Sequence, residues 1–148
     1  MSYMDGPNET HEVVEPSILY LGTPVVLVTT LKEDGSANIS PISSAWWLAR
    51  TCVLGFDLTS RTVENLRRTR ECVLNLPSAD LVGKVDKIAR TTGSNPMPAH
   101  KIARGYRYDD DKFRTAGFTK APAHLVKSPR IGECPIQLEA VVEKTFDR

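Results

Sequence analysis

The sequence predicts a mainly β domain, an antiparallel barrel of short strands with helices packed on its outside. Three observations carry that prediction. Residues 24–31 form a Val- and Thr-rich run whose continuous apolar character suits a strand covered on both faces. Asp34-Gly35, a strong hairpin turn signal, follows at once. Further strand-like segments recur at hairpin-like spacing, and Ser/Thr helix starts punctuate them. A chain of 148 residues makes one domain. Such a domain buries on the order of 70% of the surface its unfolded chain exposes and needs no staples. With 41% hydrophobic and 25% charged residues, it is not a disordered chain.

The elements follow in order. Residues 1–13 read as a loose N-terminal arm and 14–148 as the domain. Pro16 suits the first turn of a short helix and Gly22 its end. After the strand at 24–31 and the Asp34-Gly35 turn, the chain returns antiparallel from Ala37 to about Leu48. Residues 51–56 make a third strand. Thr59-Ser60 caps a helix over 61–69, a fourth strand covers 72–76, and Ser78 caps a helix over 79–89 with Asp80 in its first turn. Residues 91–123, with Pro96, Pro98 and Pro122, few aliphatics and the run Asp109-Asp110-Asp111, read as an irregular excursion holding a short helix at 112–116. A last strand covers 137–142. Four or five strands scarcely close a barrel, so either the chain lacks its last strand or strands, or a partner supplies one, or the count is short.

Composition excludes several function classes. Nineteen Lys and Arg against eighteen Asp and Glu give a net charge of +1, without the basic excess of a nucleic-acid binder. Cys52, Cys72 and Cys134 lie far apart with no CxxC, which is neither a disulfide framework nor a zinc site. The cysteines read as small core residues of a protein in a reducing, cytoplasmic compartment. No apolar run approaches the roughly 20 residues of a membrane span. His11, His100 and His124 have no metal-ligand spacing, and Asp109–Asp111 lacks the Gly and distant Glu of a calcium loop. Of Trp46 and Trp47, one should enter the core and the other lie at an interface.

Two polar clusters stand out. In Asn38-Ile39-Ser40-Pro41-Ile42-Ser43-Ser44, serines and a proline occupy a strand that would prefer β-branched bulk. Pro41 marks an edge or bulge, and freed amides with serine hydroxyls suit a polar planar ligand. A solvated strand end would have the same composition. The second cluster, Thr59-Ser60-Arg61-Thr62 with Asn65, opens a helix whose unpaired amides and guanidinium suit a phosphate. A plain cap with a surface arginine fits equally. No base lies beside Ser43 or Ser44 to make either a nucleophile.

The order of these segments, with Val73-Leu74-Asn75-Leu76-Pro77, Asp111-Lys112-Phe113 and Glu133-Cys134-Pro135-Ile136-Gln137-Leu138-Glu139, resembles the flavin reductase-like family, the FMN-binding split-barrel domain. The resemblance implies a six-stranded antiparallel split β-barrel of Greek-key topology with flanking helices, usually homodimeric. It implies FMN, or in some members FAD, with NAD(P)H as electron donor and an oxygenase or other acceptor as partner. By that resemblance Asn38, Ser40, Pro41, Ile42, Ser43 and Ser44 lie beside the flavin ring. Ser60, Arg61, Thr62 and Asn65 fall on the phosphate turn, and Lys112 and Phe113 where the excursion reaches the pocket. The cofactor carries the hydride chemistry, so no side chain acts as acid or base and the rate should vary little between about pH 6 and 8.

Overall fold

The computed structural model describes residues 12–147; all but the last two residues of the expected N-terminal arm lie outside that range. In chain order come β1 (Val26–Leu31), β2 (Ala37–Ile42), β3 (Ala45–Leu48), β4 (Thr51–Leu54), α1 (Arg61–Thr69) and β5 (Glu71–Leu76). A 3-10 turn at Ala79–Leu81 leads into α2 (Val82–Ile88). The excursion holds β6 (Thr91–Thr92), α3 (Ala99–Ala103), β7 (Arg107–Tyr108), α4 (Lys112–Ala116) and β8 (Lys120–Ala121). The two-residue β9 (Arg130–Ile131) and β10 (Ile136–Val141) follow.

One antiparallel four-stranded sheet, in the order β10-β5-β1-β2, forms the centre. Its middle strand β1 is buried on both faces, as its unbroken apolar run requires. Leu27 faces a cluster with Ile39, Ile88, Phe113, Phe118 and Ile131, brought by α2, α4 and the β8–β9 segment. Val26 and Val28 face the opposite cluster with Leu66 of α1, Leu74 and Ala45. Polar residues on the same strand are buried with partners. Thr30 Oγ1 accepts from Asn65 Nδ2 at 3.0 Å, and Thr29 Oγ1 donates to the Pro129 carbonyl at 2.6 Å.

Several expectations give way. Six strands closing a barrel are not found among the described residues; the sheet has four strands, and β3–β4, β6–β7 and β8–β9 stand as separate pairs. Residues 16–22 are not helical. Ile18, Leu19, Tyr20 and Leu21 are exposed, and about two turns of helix without a packed face are not stable in water. The single strand expected over 37–48 breaks at Ser43-Ser44, and β3 turns away to pair with β4. The expected helix over 79–89 starts as a 3-10 turn, since the Ser78 hydroxyl bonds the Asp80 carboxylate instead of a backbone amide. The excursion is more ordered than its composition suggests: β6 and β7 pair in parallel, yet two-residue strands are too short to leave a periodic pattern.

Other readings hold. Ser60 caps α1 by accepting from Val63 N, and the helix expected at 112–116 is present as α4. Gly35, at φ +82°, occupies the left-handed position of the hairpin turn, with Gly35 N donating to Lys32 O and Lys32 N to Ser36 O. Cys72 and Cys134 are buried and Cys52 is half-buried. Trp47 packs against the second cluster while Trp46 is exposed.

Candidate functional site

The hairpin register builds the site. In an antiparallel ladder, opposed residues alternate between bonded and non-bonded pairs. The Lys32–Ser36 bond makes Thr30–Asn38, Val28–Ser40 and Val26–Ile42 the bonded pairs. Ala37, Ile39 and Pro41 therefore direct their main-chain polar groups off the open edge of the sheet, since β2 has no neighbour beyond it among the described residues. Pro41 costs no ladder bond there, which is why proline is tolerated inside this strand.

A cleft of about 710 Å³ runs along this edge. Asn38, Ser40, Pro41, Ile42, Ser43 and Ser44 line one wall. Ser60, Arg61 and Thr62, from the first turn of α1, line another, and Lys112 contributes from α4. Ten of the twelve residues singled out in the sequence thus meet in one cleft. Asn65 and Phe113 do not line it. Asn65 is fully buried between β1 and α1, and Phe113 lies in the core on the other face of the sheet.

The walls are tied together. Asn38 Nδ2 donates to Thr62 Oγ1 at 3.2 Å, with both residues buried. Arg61 Nε donates to the Gly93 carbonyl at 3.0 Å, and its Nη1 pairs with Glu64 at 2.7 Å. Ser44 Oγ donates to the Gly55 carbonyl at 2.6 Å, which holds the strand break against β4. Asp57 Oδ1 accepts from the Thr59 amide and hydroxyl, which holds its carboxyl below the usual range. The first-turn amides of Arg61 and Thr62 have no partner among the described residues, as expected of a helix start.

Sequence reasoning missed the far wall. Thr92 and Gly93 run beside β2, and His100, Lys101, Arg104 and Tyr106 reach the cleft from the α3 segment. A Cβ on Gly93 would lie 2.5 Å from Asn38 Oδ1 and 3.3 Å from Arg61 Cβ, so any larger residue there must displace the Asn38 side chain. His100 Nε2 lies 2.9 Å from Asp57 Oδ2 and so ties α3 to the segment before α1. The available signal was the concentration of His, Lys and Arg at 100–104 inside an otherwise weakly patterned stretch.

One chemical expectation is overturned. The cleft was expected to hold no buried acid or base, yet Lys112 is 4% exposed. Its Nζ donates to the Ile39 carbonyl, off the open edge, at 2.7 Å. Burial, with a further push from Lys101 and opposition from Asp109, pulls this ammonium down to about 7.

A family model, the flavin reductase like domain, matches residues 19–148. The chain belongs to the flavin reductase-like domain family. It is 43% identical over 130 residues to the uncharacterized protein YdfE of Bacillus subtilis (strain 168), covering 88% of this chain and 63% of that protein. The chain thus spans less than two thirds of that relative's length. This flavin reductase-like chain also resembles the flavoredoxin of Desulfovibrio vulgaris (Miyazaki F), with a TM-score of 0.76 at 20% identity, over 94% of this chain and 69% of that one. It resembles nitrilotriacetate monooxygenase component B from Bacillus cereus with a TM-score of 0.65 at 19% identity, over 97% of this chain and 70% of that one. Identities this low establish a shared fold.

Proposed function

We propose that the chain is an FMN-binding oxidoreductase of the flavin reductase type, taking hydride from NAD(P)H. The observation that carries this reading is the convergence of two polar clusters, distant in sequence, on one cleft at an open sheet edge. The residues fit a phosphorylated flavin. The free first-turn amides of Arg61 and Thr62 and the positive end of α1 favour an anion. The hydroxyl-rich run Ser40 to Ser44, with the edge-facing groups of Ile39 and Pro41, suits the polar rim of a planar ring. When bound, the flavin supplies the redox chemistry, accepting a hydride and passing electrons on. The chain's own residues bind and orient it. Asn38 and Thr62 brace the two walls, and Gly93 keeps room between Asn38 and Arg61.

The family resemblance and the likeness to a monooxygenase component favour a partner oxygenase as electron acceptor and a homodimer as the working form. A second reading, a flavin-binding electron carrier without nicotinamide activity, is favoured by the likeness to a flavoredoxin. Anaerobic stopped-flow mixing of FMN-loaded protein with NADH and, separately, NADPH decides between them. The reductase reading expects at least one donor to bleach the flavin faster than it bleaches free FMN. If neither does, the carrier reading replaces it.

A further inference from the structure

Charge is unevenly spread along the chain. Residues 82–107 hold six of its nineteen Lys and Arg and one of its eighteen Asp and Glu, so this stretch is strongly basic while the rest of the chain is net acidic. None of the six pairs with a carboxylate among the described residues. Lys84 is spent on the Gly117 carbonyl. The other five gather on one side of the cleft. Arg107 donates from its amide to the Arg90 carbonyl and from Nη2 to the Lys87 carbonyl, which joins β7 to the end of α2. Lys101 and Arg104 line the cleft from the α3 wall, and Ala89, next to Arg90, lines it too.

The α3 segment adds a second observation. This helix buries none of its residues, and its Ile102 is 57% exposed. Five residues of helix do not hold together in water unaided. Here polar ties hold them, His100 to Asp57 at 2.9 Å and Lys101 to Thr92 at 3.3 Å. On α2, Val82 shares a face with Val85 and Ala89, which line the cleft, and it too is exposed. Exposed apolar side chains among unpaired cations have the make-up of a contact surface, apolar at its centre and polar at its rim.

We propose that α3 and the C-terminal end of α2 form a docking surface for the acidic face of a partner protein that takes electrons from the cleft. The electron transfer rests on the flavin reading; the surface does not. Two electrons pass from the reduced cofactor to the partner's redox group, singly or together, and the cofactor's two protons go to solvent. Charge complementarity selects the partner. A positive surface beside the cleft speeds encounter with an acidic protein and orients it, and salt weakens both effects. Nucleic acid would satisfy the cations but set Ile102 and Val82 against phosphates, so an acidic protein face with apolar groups fits better.

The test uses two haem proteins of opposite charge, acidic cytochrome b5 and basic cytochrome c. Amide shifts of the flavin-free full chain are followed as each is added, at about 20 mM and about 300 mM salt. Cytochrome b5 should shift residues of 82–108, Ile102 among them, at low salt and release them at high salt, and cytochrome c should not. Lys87→Glu with Arg90→Glu should weaken cytochrome b5 roughly tenfold or more, with circular dichroism confirming the fold. Lys127→Glu with Lys144→Glu, an equal change of charge on exposed residues outside the stretch, should weaken it less than about threefold. Equal losses in the two double variants, or an equal response to the two cytochromes, overturn the surface. Duplex DNA bound more tightly than about 1 μM at about 150 mM salt would make this a nucleic-acid surface and overturn the proposal. The FMN-loaded chain, reduced anaerobically, should reduce cytochrome b5 faster at low salt than at high, and Lys87→Glu with Arg90→Glu should remove that dependence. An unchanged salt dependence in that variant overturns the electron-transfer role. Failure to bind FMN removes the flavin reading instead, and the shift experiment still decides the surface.

Discussion

Lys112 illustrates what a single residue contributes at two levels. Folded, its ammonium is held near 7 by burial, whereas unfolded it returns to about 10.4. Between these values the unfolded chain binds more protons than the folded one, so stability rises with pH. Below about 7 both states are protonated and the slope vanishes. Denaturant midpoints of the ligand-free protein should climb from pH 7 to 9 by up to about 1.4 kcal/mol per unit, and Lys112→Met should lack that contribution. Above pH 9 the buried thiols of Cys134 and Cys72, raised to about 11 and about 12, act in the opposite sense, because the folded state keeps their protons longer. Equal slopes in wild type and Lys112→Met would show that the folded ammonium is not desolvated. Gly93 makes a second residue-scale case. Gly93→Ala forces the new methyl against Asn38 Oδ1, and overpacking of this kind costs about 1–3 kcal/mol. A thermal melt should show the loss, and an unchanged midpoint would mean that Asn38 swings away at no cost.

At the scale of elements, the sequence was legible where a local rule governs and silent where tertiary contact does. The double-faced burial of β1, the Gly35 turn, the Ser60 cap and the short helix α4 are local chemistry, and each was readable. The break after Ile42 was foreshadowed by Pro41 and the serines, but the direction β3 then takes depends on its pairing with β4. The helix expected at 16–22 had a good start and stop signal but no surface to pack on. Of the cleft, the β2 and α1 walls were legible as runs of polar residues, whereas the α3 wall is assembled by a parallel pair of two-residue strands that leaves no pattern. The α1–β1 junction gives a test. Asn65 is fully buried and donates to Thr30, so Asn65→Ala strands a polar group and should destabilise the protein by about 1–3 kcal/mol in urea unfolding. A change below about 0.5 kcal/mol would remove the bond from the account.

For the whole molecule, the sheet leaves apolar surface uncovered. Trp46, Leu48 and Val53 on the β3–β4 hairpin are exposed, as are Ile136, Leu138 and Val141 on the edge strand β10. Patches of this kind mark contact surfaces, and an unpaired edge strand invites a further chain. A homodimer is therefore expected from light scattering at tens of micromolar, and a monomeric mass would contradict it. The account as a whole turns on whether the cleft along β2 holds a flavin. The direct measurement is fluorescence titration of free FMN with the folded, full-length chain. Saturable quenching, reaching one flavin per chain, is the expected result; no change in FMN fluorescence at high micromolar protein would contradict it.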